Sequence, residues 1–397
     1  MSLMRSLRLA ACACLAIGAA AAGAVPAAHA QQKQFVVGGV LSLSGPLALA
    51  GEAMKKGMDL AVEMRGGKVL GVPVQVRWED DEGKPQAAIQ KGTKLVSDGA
   101  QILFGATTSA TTTSMLKLAD RLKVPLLVTF AASDNITGAD GNRWVFRTSN
   151  SADMDTHMML EYAVAKGYKR VYGLLPDISV GHEIWEAFTK LAAARSIETV
   201  GEEYAPIGTK DYALIIDRIA KSNADAVTTV LIGADLVTFL KQAGQVRLGD
   251  TKPIYGMIVM DELIGQAVGD TSYGVASTLR YHFSFDNPAN KAFVAAFQKK
   301  YGELPSAMAG EAFDGMAWLL DVVDATGSWD REVWVKAFKG SRRENSVEGT
   351  KVMRTCDNQA EQVGLYGRAV KGTPPLPPVV MQITDTFPAE KLFEPCK

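Results

Sequence analysis

Residues 102 to 115, Ile-Leu-Phe-Gly-Ala-Thr-Thr-Ser-Ala-Thr-Thr-Thr-Ser-Met, place seven hydroxyl side chains among the nine residues after Gly105, and no charged residue follows until Lys117. Hydroxyls and bare backbone N–H groups at a strand end can hold an oxyanion. The first turn of a helix has unpaired N–H groups and a partial positive charge from the macrodipole. A nucleotide phosphate would call for G-x-x-x-x-G-K-[ST], and this stretch has one glycine and no lysine in place. Helix capping is the competing reading, but capping needs only one or two hydroxyls. A second stretch, 124–138, ends an apolar run at Phe130 and continues Ala131-Ala132-Ser133, small residues that let a solute reach the backbone. Residues 41–52, Leu-Ser-Leu-Ser-Gly-Pro-Leu-Ala-Leu-Ala-Gly-Glu, have the same small, uncharged character. The three together describe a recognition site for a small solute.

Catalytic patterns are missing from the sequence. Past residue 30 the histidines are His157, His182 and His282, and the Gly-His-Glu-Ile-Trp-Glu stretch at 181–186 is not H-E-x-x-H. No G-x-S-x-G elbow and no G-x-G-x-x-G after the first strand is present. The acidic run Trp78–Lys84 lacks EF-hand spacing and reads as a solvated strand end, and Arg195–Tyr204 reads as surface. Cys356 and Cys396 lack the C-x-x-C spacing of a redox or metal site. No catalytic residue, metal ligand or cofactor is therefore predicted. An exported enzyme acting in a cleft would need clustered acid, base or metal groups.

The elements that position these loops alternate. Strand patterns at 35–43, 72–78, 101–105, 124–130, 170–175, 225–232 and 253–259 are interleaved with helical periodicity at 51–64, 85–98, 114–122, 157–167, 182–195, 211–222 and 235–246. Further helices are predicted at 287–301 and 308–325. Such alternation means βαβ units with right-handed crossovers, hence an α/β fold of two doubly wound parallel sheets, about 35–150 and 151–281. The only proline-rich stretch is 372–378, so the two units are expected to hinge as lobes. In open α/β sheets ligands bind beyond the carboxyl ends of the strands, where the loops above lie.

Residues 1–30 carry Arg5 and Arg8, then a small apolar stretch, then Ala28-His29-Ala30, and are predicted to be a secretory signal peptide. Leu9-Ala10-Ala11-Cys12 resembles a lipobox, but the three residues between Arg8 and Cys12 are too few for an apolar segment. Two of the 42 basic residues fall in this leader, leaving 40 against 43 acidic ones, a balance that points to neither nucleic acid nor an anionic membrane. In an oxidising compartment Cys356 and Cys396 are predicted to pair, the alternative being two free thiols.

The stretch from Gly38 to Met64, the hydroxyl loop, residues 124–137, Phe146–Met154 and the tail 353–370 together resemble the solute-binding proteins of branched-chain amino-acid ABC transporters, the leucine/isoleucine/valine-binding protein family with its type I periplasmic fold. The tail looks most like members that take aromatic or other non-amino-acid ligands. The resemblance implies two lobes joined by three crossovers around a ligand cleft, lobe 1 being 31–150 plus 282–355 and lobe 2 being 151–281 plus 356–397. It implies a periplasmic monomer that delivers its solute to membrane permease subunits. It places the ligand carboxylate on Ser109 and on Ala131, Ala132 and Ser133, with Thr108 beside them. Arg147, at the first crossover, is expected to salt-bridge the hinge, the alternative being that it faces the cleft.

Departures from the family pattern bear on the ligand. Ala50 and Val180 stand where amino-acid binders carry aromatics, and Ile258 stands where they carry the glutamate that pairs with the ligand ammonium. Asp261 and Glu262 are the alternatives for that partner. An unpaired ammonium in a closed cleft costs several kcal/mol, roughly. The expected ligand is therefore an aromatic or long apolar carboxylic acid, a benzoate or a phenylpropenoate, with Tyr281, Phe283, Met257 and Met260 as candidate walls. The alternatives are an amino-acid carrier of the same family and a ligand-sensing receptor component.

Overall fold

The structure, a computed structural model, describes residues 34–396. The predicted signal peptide and the Cys12 lipobox lie outside the described residues. Strands β1 (Phe35–Leu41), β2 (Lys68–Val69), β3 (Val72–Asp80), β4 (Ile102–Gly105), β5 (Leu126–Val128) and β6 (Val145–Arg147) form a first sheet in the order β2-β3-β1-β4-β5-β6. All its pairings are parallel except the β2–β3 hairpin. Helices α1 (Ala48–Met64), α2 (Pro85–Ser97) and α3 (Ser109–Leu122) connect them.

The chain then enters the second lobe through α4 (Ala152–Lys166). Strands β7 (Arg170–Pro176), β8 (Glu198–Ala205), β9 (Ala226–Thr229), β10 (Ile254–Gly256) and β11 (Ala276–Leu279) alternate with α5 (Ser179–Ala194), α6 (Ala213–Lys221), α7 (Gly233–Gln245) and α8 (Glu262–Val268). It returns to the first lobe for α9 (Pro288–Tyr301), α10 (Ala307–Thr326) and α11 (Arg331–Phe338), and for a small antiparallel sheet of β12 (Arg342–Arg343), β13 (Lys351–Met353) and β14 (Ala360–Glu361). Finally β15 (Gly364–Lys371) and β16 (Val379–Phe387) add an antiparallel hairpin to the second sheet, whose order is β16-β15-β11-β10-β9-β7-β8. The architecture is α/β with two parallel-dominated lobes and three crossings between them.

One apolar core under the first sheet runs from Phe35 to Phe146 and resumes from Tyr281 to Ala360. Two further clusters pack the second sheet, one from Tyr172 to Leu279 and Leu365 to Met381, the other from Met154 to Ala276 and Tyr366 to Leu392. Burial of β1, β4 and β5 on both faces explains their unbroken apolar runs. The stretch read as surface, Arg195–Tyr204, is instead largely strand β8 at the sheet edge, where alternating charged residues hide the pattern.

Cys356 and Cys396 are bonded, with Cα atoms 5.7 Å apart. The disulfide loop lies against the end of β6: Arg147 N donates to Asn358 O (3.0 Å), and Asn358 Nδ2 donates to Val145 O (3.0 Å). The first crossing leaves the C-terminal end of β6 and the second leaves the C-terminal end of β11, so these ends of the two sheets face each other. Among the described residues no helix is long and apolar enough to cross a membrane.

Candidate functional site

On the first lobe the site begins at Gly105, whose φ is +129° and where an added Cβ would lie 2.1 Å from Val40 O. Only glycine fits this turn. Helix α3 starts at Ser109, not at 114 as the periodicity predicts, so much of the hydroxyl stretch is helix. Most of its hydroxyls have structural work. Thr107 Oγ1 accepts from Ser42 N (3.0 Å), and Thr112 Oγ1 accepts from Ala106 N (3.1 Å). Thr108 and Thr111 form a reciprocal capping box (3.2 Å each way), and Ser114 Oγ donates to Thr111 O (2.7 Å). Capping and turn closure thus account for more of the run than its composition implied.

Ser109 is used differently. Half-buried at the first helical position, its Oγ accepts from Ser133 N (3.2 Å), which joins the two expected loops. Its own proton has no acceptor among the described residues. The N–H groups of Ser109 and Ala110 have no intrahelical carbonyl to meet. The result is a donor-rich, uncharged edge.

Behind that edge the carbonyls of residues 130–133 all turn inward. Arg280 Nη1 donates to Phe130 O (2.7 Å), Arg147 Nη1 donates to Ala131 O (3.3 Å) and Ser133 O (2.6 Å), and Ala152 N, opening α4, donates to Ala132 O (2.9 Å). Arg280 also pairs with Asp155 of α4 (2.8 Å), and Asp155 accepts from Asn150 (3.1 Å). The expectation for Arg147 is corrected: it is buried at the crossover but forms no ion pair among the described residues. Its remaining donors meet Gln359 Oε1 and Thr137 Oγ1 (3.1 Å). Burial pulls its pKa down to about 10, so it stays charged at neutral pH.

The opposing lobe presents aliphatic side chains at successive strand ends. Exposed Ile178 and Val180 follow β7, Ile207 follows β8, Ile232 follows β9 and Ile258 follows β10. Ile258 is 41% exposed with φ +53°, an unusual conformation for a β-branched residue. Asp177, Asp235, Asp261 and Glu262 near these ends have partners, whereas exposed Glu183 near the start of α5 has none among the described residues. Asp177 meets His182 (3.0 Å), which stacks on Tyr204, and Asp235 accepts from Gly208 N (2.9 Å). Asp261 caps α8 through Ile264 N (2.7 Å). Glu262 accepts from Met381 N (3.1 Å) and meets His282 (3.0 Å); burial pushes its pKa up, but the bond and charge of His282 and the backbone donors together hold it low.

Three of the candidate walls are corrected. Tyr281, Met257 and Met260 are core residues, and Tyr281 spends its hydroxyl on Asn290 (2.8 Å); Phe283 is half-buried against the first core. Ala50 is half-buried in α1 beside fully outward Leu49. The acidic run at 78–84 is also more than a solvated strand end: buried Asp81 accepts from Ser42 Oγ (2.6 Å), and Asp80 accepts from Leu43 N (2.9 Å), bracing the loop after β1. Sequence reasoning missed Ile178, Ile232 and the braces. The only local signal was an isolated apolar residue just past each strand.

The sequence profile of the periplasmic binding proteins matches residues 34–373. A Leu/Ile/Val-binding protein homologue of Brucella melitensis is 28% identical over 339 residues, covering 82% of this chain and 85% of its own. An ABC transporter substrate-binding protein from Sphaerobacter thermophilus superposes with a TM-score of 0.83 at 26% identity, covering 90% of this chain and 98% of that one. A solute-binding protein of an ABC transporter from Rhodopseudomonas palustris, solved in complex with p-hydroxybenzoic acid, is 27% identical with a TM-score of 0.79, over 90% and 97% of the two chains. With its two facing α/β lobes and profile match, the chain belongs to the periplasmic binding protein family, as a type I solute-binding protein of the leucine/isoleucine/valine-binding group of ABC transporters.

Proposed function

We propose that this protein captures a small carboxylic acid without an α-ammonium group, an aromatic acid of the benzoate or phenylpropenoate kind, and delivers it to an ABC permease. The observation that carries the reading is the asymmetry of the facing strand ends. The first lobe offers N–H and hydroxyl donors around Ser109, Ala131, Ala132 and Ser133, with the Thr108 hydroxyl held in the cap. The second offers Ile178, Val180, Ile232 and Ile258, and Asp177, Asp261 and Glu262 beside them are already bonded. A carboxylate fits one side and an apolar body the other, while an ammonium would find Asp177, Asp261 and Glu262 already bonded. The R. palustris complex with p-hydroxybenzoic acid supports the same class. On this reading residues 1–30 direct export, the protein is periplasmic and monomeric, and the lobes close on the solute.

A thermal-shift panel on ligand-stripped protein tests this. A ligand at a hundred times its dissociation constant adds about 2.7 kcal/mol, a visible shift. Benzoate, 4-hydroxybenzoate or cinnamate should raise the melting temperature while leucine and valine do not. A shift with leucine alone would make this an amino-acid carrier and require Asp261 or Glu262 to leave its present partner.

A further inference from the structure

We infer that Arg147 is the countercharge of the ligand carboxylate, acting through the backbone of residues 131–133 without touching the ligand. This rests on the reading that the solute is a carboxylate.

Three observations converge. First, the guanidinium is 1% exposed, and among the described residues no carboxylate lies within ion-pair distance of it. Arg280 beside it is different, being neutralised by Asp155 at 2.8 Å. Asp134, Asp357 and Asp155 act on Arg147 only from beyond ion-pair contact, and a buried cation with no direct partner is costly. Second, every bond it makes is to a neutral acceptor: Ala131 O, Ser133 O, Thr137 Oγ1 and Gln359 Oε1. Third, those two carbonyls belong to the strip whose other edge carries the proposed donors. In a trans peptide the C=O and the following N–H point in opposite directions. Drawing Ala131 O onto the guanidinium therefore turns Ala132 N–H away from it, and that N–H has no acceptor among the described residues.

The arrangement sorts the backbone. Carbonyls face the buried cation, and the peptide dipoles carry its field to the donor edge. A negative group bound there would lie one peptide and two hydrogen bonds from the guanidinium, roughly 7–8 Å. At an effective dielectric of ~20, a unit charge at that distance changes affinity by about tenfold or more. Gln359 extends the same device to the third crossover, because its Nε2 donates to Ser149 O (2.7 Å) in the first.

The test separates charge from scaffolding. Gln359→Glu keeps an acceptor at Arg147 Nε and neutralises the guanidinium but loses the Nε2 bonds to Ser149 O and Ala360 O, a loss that Gln359→Met reproduces without the charge. Arg147→Lys keeps the charge and loses the fork, and Arg147→Gln loses both. Each variant is checked by melting and titrated at neutral pH with benzoate, or with leucine if the panel selects it. Gln359→Glu and Arg147→Gln should weaken binding by about tenfold or more, and Arg147→Lys by roughly threefold or less. Wild-type affinity in Gln359→Glu, or equal losses in Arg147→Lys and Arg147→Gln, would overturn the inference. Should Arg147→Gln not fold, Gln359→Glu decides the matter. If benzoate fails and leucine binds, the aromatic-acid reading falls while this one is still measured. If the wild type binds no carboxylate, both fall.

Discussion

Ile258 bears two penalties. Its φ of +53° costs a β-branched residue about 1–2 kcal/mol, and its side chain is 41% exposed. The surrounding turn enforces both: Ile258 N donates to Thr278 Oγ1 (2.9 Å), and Val259 N and Met260 N both donate to Ser277 Oγ (2.9 and 3.2 Å). Strained, solvent-facing aliphatic surface makes sense where a solute covers it. Ile258→Asn tests the point, because asparagine tolerates positive φ. Stability should rise by ~1 kcal/mol in denaturant titration while affinity for an aromatic acid falls roughly tenfold through lost apolar contact. Equal affinity would remove Ile258 from the site.

Helix α3 shows how one element divides its hydroxyls between folding and recognition. Thr108 is committed to the cap, so Thr108→Ala should cost about 1 kcal/mol of stability and leave affinity nearly intact. Ser109→Ala should do the reverse, weakening carboxylate binding by roughly 1–3 kcal/mol with a smaller loss of stability. Calorimetric titration and melting of the two variants check both. The sequence made the strand–helix alternation and the two donor loops legible because these are local patterns. It misplaced the start of α3 because threonine is as much at home in a first turn as in a loop. Strand β8 and the β15–β16 hairpin escaped notice because edge strands carry charge and proline-flanked turns. Arg147 was placed correctly at the crossover, but its real partner, Gln359, lies 212 residues away and leaves no trace in spacing.

At the scale of the whole molecule, the crossings run past a buried charge cluster. Lys351 donates to Thr148 O (2.9 Å) and pairs with Glu348 and with Asp314 (3.2 Å), which also holds Arg343 (2.8 Å). Both carboxyl oxygens of Glu311 on α10 are buried and without a hydrogen-bond partner among the described residues. Burial, only partly opposed by Arg280, pushes the Glu311 pKa well above the ordinary range, and burial takes Glu348 up to about 7. A carboxyl with a raised folded pKa holds a proton that the unfolded chain gives up near its ordinary value of ~4.5. Folding then takes up protons above that pH, so stability falls as pH rises. Between pH 4.5 and about 7 the fall should be about 1 kcal/mol per pH unit for each proton held. Carboxylates with lowered values, Glu262 and Asp314 among them, act below this window and do not oppose it. Glu311→Gln should match the wild type near pH 5 and exceed its stability by a margin that widens toward pH 8, measured by denaturant titration at each pH. A loss of the same size at every pH would mean that Glu311 is ionised and paired in the folded protein, and that the crossings are held by charge attraction where a neutral acid is inferred.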